Sequence, residues 1–394
     1  MYKHRIIKTL QELKTVQPYW ERWQNHANND FAQFNLVCQL RPEIESPFVT
    51  VIEQNNQPHA LLCGRLERTQ FAPSIGYLSP VRVSAKIMTV IHQGLLGHLD
   101  EEAARESVYY LWSLLDSGVA DAIEFHYLSE HSILLQALQV YCSPWFCEKK
   151  PRWKIHREMD IPAEGGFIEH KVRSKHRSQI RKKQRELESA FPSTVSWHWM
   201  SRFDDADISV LCARLEEVAG RTYQRGLGAG FMDNEEYRQR FVLFARHGQL
   251  RVQLLEINGK VKAFWFGTVY QGVFHSSETG YDPDLRKYEV GTLIFIRMVD
   301  ELAREGIRKL DFGLGDAPYK QRFGDEFWRE TTIWLFAPTV KGLALRSIFR
   351  LFIMLDSAAR QILQKMELTD RLKTIWRRRM VKGEMETDKS ENDT

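Results

Sequence analysis

Cysteine is scarce in this chain of 394 residues: Cys38, Cys63, Cys142, Cys147 and Cys212 are odd in number, scattered and without CxxC spacing. That argues against a disulfide framework and against a thiolate zinc site, and leaves reduced thiols. HExxH and GxSxG are absent as well, so neither a zinc protease nor a serine hydrolase has its motif. The glycine-rich stretch AGRTYQRGLGAGF is not followed by Gly-Lys-Ser/Thr and is no Walker A loop. Long apolar runs are missing too. SIFRLFIMLDSAA is broken by Arg350 and Asp356, short of the roughly 18 apolar residues of a membrane span. The opening MYKHRIIKTLQELK carries charge but no signal-like apolar core, so export is not expected. The expected location is cytoplasmic, at most peripheral on the inner face of the cytoplasmic membrane.

What is present belongs to a globular α/β protein. The hydrophobic share of 43% and charged share of 27% support a packed core, and the length favours two domains. PFVTVIEQ and HALLCGRLERT, separated by NNQP, read as a hairpin. AKIMTVIHQGLLGHL and EEAARESVYYLWSLLDSG read as helices, the second closed by Gly118, and ADAIEFHYL alternates as a strand. The order returns later. LRVQLLEI meets Asn258-Gly259, a type I′ turn signal, and is answered by KVKAFWFGTVY; VFHSSETGY, the helix GTLIFIRMVDELAREG and the strand IRKLDFGLG come next. Hairpin, helix and strand thus occur twice, which implies an internal duplication.

Between the copies, residues 168–191 form a strongly basic helical stretch ended by Pro192. Further helices are expected at ADISVLCARLEEVAG and, with Asp233 as N-cap, at NEEYRQRFVLFARHG. After residue 339 the sequence reads as two amphipathic helices rich in arginine, with Phe349, Phe352, Ile353 and Trp376 on their apolar side, and then a polar tail. The expected division is 1–160, 161–338 and 339–394.

The run from Leu250 to Trp328 resembles the second domain of CelD-type acyltransferases of bacterial polysaccharide gene clusters. Its most specific pieces are Tyr281-Asp282-Pro283, Gly291-Thr292 at a helix start, and LDFGLGDAPYKQRF from Leu310 to Phe323. These proteins belong to the GNAT superfamily and are similar to FemAB peptidyltransferases, which pair two GNAT-like domains. The resemblance therefore implies two tandem GNAT-like domains with a basic inter-domain helix. One departure is plain: GNAT enzymes carry Gln or Arg, two residues, Gly, one residue, then Gly or Ala at the donor loop. Here that loop reads Arg286-Lys287-Tyr288-Glu289-Val290-Gly291-Thr292, with a single Gly.

Acyl transfer needs an anchored donor, a polarised carbonyl, a base and a proton for the leaving group. For the donor phosphates the candidates are the free N–H groups of the helix starting at Gly291 and Thr292, with Arg286 and Lys287 adding charge. At the reacting centre stand Asp311 and the loop Gly315-Asp316-Ala317-Pro318-Tyr319-Lys320 at a strand's carboxyl end. Tyr319 is the candidate proton donor. Lys320, which the resemblance matches to a lysine of FemAB proteins, is the candidate electrophile, with Arg322 as a second anion contact. Glu278, Asp282 and Asp316 are candidate bases, among which the sequence does not choose; Asp282 is also placed to cap the next turn. Arg221 and Arg225 sit in a Gly-rich loop that reads equally as a clamp on an anionic acceptor or as a connector, and Tyr281 is expected at the substrate. His275 reads simply as a strand residue.

The expected activity is thus transfer of an acyl group from acyl-CoA, most simply acetyl-CoA, to an amine or hydroxyl of a sugar or polysaccharide precursor, without a metal. The partners would be the acyl donor, a saccharide acceptor and, through residues 342–380, a membrane surface or polysaccharide synthase. Two alternatives stand beside it: a FemAB-type transferase using aminoacyl-tRNA, for which the basic helix would contact phosphate, and a non-catalytic partner of a polysaccharide synthase.

Overall fold

A computed structural model describes residues 2–76, 78–148, 151–163, 166–222, 224–225 and 230–365. The chain begins with β1 (Tyr2–Ile7), α1 (Leu10–Leu13), α2 (Gln17–Trp23), α3 (Phe31–Leu40), β2 (Ile44–Pro47), β3 (Val49–Gln54), β4 (Gln57–Phe71) and β5 (Val83–Gly97). After them come α4 (Glu101–Asp116), β6 (Ala122–Ser129), α5 (Ile133–Tyr141) and β7 (Lys154–Asp160). The middle of the chain forms α6 (Phe167–Lys171), α7 (Ser174–Ala190), β8 (Val195–Met200), α8 (Asp205–Ala219), α9 (Glu235–Arg246), β9 (Leu250–Ile257), β10 (Lys260–Tyr270) and β11 (Val273–Tyr281). The last elements are α10 (Val290–Arg304), β12 (Lys309–Leu314), α11 (Pro318–Phe323), β13 (Glu326–Phe336) and α12 (Val340–Lys365).

These elements form two compact units, Met1–His156 with Trp328–Lys365, and Arg157–Phe327. The sequence places residues 328–338 with the second copy and sets 339–394 apart. Instead β13 pairs antiparallel with β6, from Glu330 opposite Ser129 to Phe336 opposite Ala122. Phe349 of α12 then seats against Phe71, Trp334 and Phe336. Burial of these aromatics, each with a large apolar area, gives the first unit its closing strand and helix. Phe349 and Phe352, whose apolar side suits either a bilayer or the protein's own surface, are both buried. The second expected C-terminal helix lies outside the described residues. Among the described residues, no helix is long and apolar enough to cross a membrane.

In the first unit the strands run in the order β1-β3-β4-β5-β6-β13, with β2 against β4. AKIMTVIHQGLLGHL, expected as a helix, is mostly β5, antiparallel to β4 from Phe71 opposite Val83 to Ala60 opposite Gly97. Residues Ile87–Ile91 are buried in succession or nearly so, so the period-two alternation that marks a half-exposed strand is erased. With that correction the duplication is closer than the sequence suggests. β4, β5, α4 and parallel β6 in one unit match β10, β11, α10 and parallel β12 in the other.

The second unit has the order β7-β12-β11-β10-β9-β8. The turn at Asn258-Gly259 joins β9 to β10 as expected. α10 buries a broad face, including Leu293, Phe295, Met298, Val299 and Leu302, against Trp265, Phe274, Leu310 and Phe312. The basic stretch is not one helix: extended Val172 and Arg173 separate α6 from α7, and α7 buries only Ile180 and Leu187. Its remaining side chains face solvent or the unit's surface. α9 is capped by Asn234, which accepts from the Tyr237 N–H, while Asp233 is taken up by Arg238.

Candidate active site

The second unit opens where its two central parallel strands part. β11 and β12 pair over only Val273–His275 and Lys309–Asp311, yet β11 continues to Tyr281 and β12 to Leu314. Beyond that point the edge of β11 facing β12 has no strand partner among the described residues, so backbone N–H and C=O groups are offered at the carboxyl ends of the strands. His275 and Asp311 hold the fork, with Nδ1 and Oδ2 3.1 Å apart at the last paired position. His275 is therefore more than a strand residue.

Asp311 also shapes the turn after the fork, its Oδ1 accepting from the Gly313 N–H at 2.6 Å. Gly313 and Gly315 have φ of 66° and 99°, backbone that a Cβ disfavours and that lets the strand turn at once. The chain then enters α11 at Pro318, so Tyr319 and Lys320 lie on a short helix rather than in a loop. Tyr319 is half-buried, its ring 5.8 Å from Trp265 and 5.8 Å from Phe312.

Lys320 is buried. Its Nζ donates to the carbonyls of Phe312 at 2.6 Å and Leu314 at 2.7 Å, with Gly313 O at 3.4 Å. An ammonium has three donors, and three carbonyls surround this one. Burial draws its pKa down, while the charges of Asp311, Asp316 and Glu278 act against that shift. In this arrangement the group braces the turn and has no N–H left for a substrate oxygen.

The candidate carboxylates separate by environment. Burial pushes Glu278, half-buried on β11, above its usual range, and the charges of Arg240 and Lys320 draw it back only in part. Asp316 is exposed; Arg157 Nε meets it at 2.7 Å and holds its pKa low, with Gln321 adding a second hydrogen bond. Burial would raise Asp282, but hydrogen bonds from Lys262 and the Asp284 N–H, with the charge of Arg221, leave it below its usual range. Asp282 indeed caps its own turn. Two ion-paired carboxylates with lowered pKa make weak bases; Glu278, with its pKa raised by burial, is the strongest base of the three.

The arginines expected at an acceptor are otherwise occupied. Arg221 reaches Asp282 at 2.6 Å and Asp284 at 3.0 Å, and Arg225 binds Glu216 and the Phe231 carbonyl. Arg322 contacts His176 Nε2 at 2.7 Å on the surface. Lys262 and Arg157, which the sequence does not single out, are partners of candidate carboxylates; neither lies in a motif.

At the donor side, Pro283–Tyr288 forms a 3-10 turn, and Glu289 enters α10 in a left-handed conformation with no side chain capping the first helical turn. A Cβ on Gly291 would come 3.4 Å from the Tyr281 ring, an ordinary contact, so the ring lies beside the helix start. Arg286 and Lys287 are exposed beside it. Lys287 also joins Lys182, Lys183 and Arg185 around an open recess of about 620 Å³ that includes Glu186, Ser189 and Tyr288. Glu186 neutralises part of this charge through Lys183, 2.9 Å away.

Residues 174–321 match the family described as "Acetyltransferase (GNAT) domain". That match takes in 148 of the 394 residues. FemX is similar in fold to this chain, with a TM-score of 0.52 and 10% identity over 85% of this chain and 97% of FemX. A tandem GNAT protein from the clavulanic acid biosynthesis pathway has a TM-score of 0.51 and 11% identity over 86% of this chain and 99% of its own. At such identities the likeness is one of fold, and it agrees with the duplicated α/β unit. No curated protein matches the chain. The family match spans β11, the donor turn, α10 and β12, so the fork and its flanking helix start lie inside the matched segment.

Proposed function

We propose that the protein transfers an acyl group from acyl-CoA, acetyl-CoA foremost, to an amine or hydroxyl of a sugar or polysaccharide precursor, in keeping with the CelD-type proteins that its second half resembles. The observation that carries this reading is the parting of β11 and β12 after His275 and Asp311 beside Glu278, whose carboxyl burial pushes up.

An extended thioester arm fits between the parted strands by hydrogen bonding to the open edge of β11. The donor's phosphates belong at the uncapped start of α10 and Gly291-Thr292, with Arg286, Lys287 and the basic recess supplying charge. Glu278 takes the proton of the incoming amine or hydroxyl. The nucleophile's lone pair forms a new bond to the thioester carbon, the C–S bond breaks, and the departing thiolate takes a proton from Tyr319, which solvent restores. Lys320 and Asp311 hold the turn that presents Tyr319, and Asp282 with Arg221 fixes the donor turn.

A transferase using aminoacyl-tRNA is the second reading, favoured by the exposed cations of α7 and the likeness to FemX. One experiment separates them. The full chain is supplied with acetyl-CoA and a panel of amino sugars and glycans while free thiol is measured. Acceptor-dependent thiol release supports acyl-CoA. Its absence with every acyl-CoA, together with transfer from charged tRNA, overturns that reading.

A further inference from the structure

Outside the residues that match the GNAT family, the first unit gathers three ligating side chains from three strands. His92 Nε2 lies 3.0 Å from Glu330 Oε2, and His156 Nδ1 lies 3.2 Å from Glu330 Oε1. Glu330 is fully buried, His156 is 1% exposed and the His92 side chain 13%. At 3.0 Å an aligned N–H would hydrogen bond, but His92 Nε2 and Glu330 Oε2 are both buried and matched to no aligned partner among the described residues. Without an aligned hydrogen bond the two atoms remain 3.0 Å apart as an ion pair. Donor atoms that converge on a common third point have that relationship. Two ligands each about 2.1 Å from an ion and roughly 90–100° apart are themselves about 3.0–3.2 Å apart. The donor atoms of all three residues fall within 4.8 Å of one another.

The surroundings are built as supports for such ligands. Glu330 Oε1 accepts from Trp328 Nε1 at 2.7 Å, and the His156 ring stacks on Trp328 with centroids 4.3 Å apart. His92 is delivered by an irregularity in β5: pairing with β4 passes from Val90 opposite Gly64 to Leu95 opposite Leu62, so the β5 side carries extra residues, and Gln93 has φ of 59°. Bulges of this kind re-aim a side chain. Its other ring nitrogen, Nδ1, is 3.1 Å from the amide of Asn28. The atom placed there is the amide nitrogen Nδ2; with the amide turned so that its oxygen faces the ring, Nδ1 would carry the proton and Nε2 present its lone pair, the tautomer a metal requires.

We propose that His92, His156 and Glu330 form a binding site for one divalent transition ion. Two imidazoles and one carboxylate suit zinc, cobalt, iron or nickel in preference to calcium or magnesium, which favour all-oxygen sites. The ion ties β5, the start of β7 and β13 together, closing long chain segments within the first unit, and thereby stabilises it.

The test uses the full chain stripped with a chelator, dialysed and titrated with Co²⁺ and then Zn²⁺. One equivalent of Co²⁺ binds, with visible absorption that Zn²⁺ abolishes, and either ion raises the unfolding temperature. Asn28→Ala weakens binding about 10–100-fold. His92→Ala removes the absorption and the thermal shift; Glu330→Gln does the same if it folds, and His92→Gln carries the test if it does not. A stripped wild-type chain that takes up no stoichiometric ion, or a His92 variant that binds as the wild type does, overturns the proposal and leaves a buried cluster of one carboxylate and two imidazoles.

Discussion

Lys320 donates to the carbonyl of Phe312 at 2.6 Å and so fastens the helix that bears Tyr319 to the strand that bears Asp311. The ammonium acts on the protein's own backbone. Replacing it by Met leaves the buried strand-end carbonyls without their donor, and the expected loss of stability is about 3 kcal/mol. Denaturant melts check this. Because Tyr319 then loses its placement, turnover should fall more than donor affinity does.

Glu278→Gln should lower turnover about 10²–10⁴-fold while leaving donor binding intact. In the wild type, kcat/KM should fall as pH drops through the raised pKa of Glu278, since only the ionised carboxylate accepts a proton; the variant should lose that limb. Stability has the opposite sense. A carboxyl whose folded pKa is raised costs stability once it ionises, so the wild type loses stability as pH rises from the unfolded value of about 4.5 through the folded one. The Gln variant should therefore be the more stable protein at neutral pH and gain nothing below about pH 4.

Asp282→Asn should loosen the donor turn, because Asp282 holds Lys262, Arg221 and the Asp284 N–H together. The carboxyl's folded pKa is depressed, so its contribution is present above the unfolded value and is lost as pH falls through the folded one. Wild type and variant should thus converge in stability in acid, as thermal melts from neutral pH down into acid would report. Donor KM should rise with a smaller change in kcat.

Lys182→Ala with Arg185→Ala should weaken donor binding roughly tenfold and flatten its salt dependence, since both cations line the recess beside Lys287. Both positions are on the outer face of α7, where substitutions shift stability within about ±0.5 kcal/mol. Equal weakening at high and low salt would show that the recess does not hold the donor's phosphates.

The elements legible in the sequence are those with local signals. Asn258-Gly259 marks its hairpin, Gly118 and Gly306 close their helices, and the run from Tyr281 to Phe323 carries the family resemblance. β5 escapes such reading because burial on both faces of Ile87–Ile91 removes the alternation on which a strand assignment rests. α12 reads as a separate element because nothing in its own sequence says that Phe349 will meet Phe71. Within the site, the sequence identifies chemical types but not their partners: Arg157 lies far from Asp316 along the chain, and Lys262 meets Asp282 through the register of β10 with β11, so the ion pairing that lowers the pKa of two candidate bases is not written in any motif. The same holds for His92, His156 and Glu330, which no spacing rule connects.

Calorimetric titration of the full chain with acetyl-CoA, repeated with longer acyl-CoAs and at two salt concentrations, tests the account most directly. The account predicts saturable binding at one site per chain, weakened by Lys182→Ala with Arg185→Ala and retained by Glu278→Gln. Absence of saturable heat with every acyl-CoA at low salt, in a chain that binds charged tRNA steeply with salt, would contradict it.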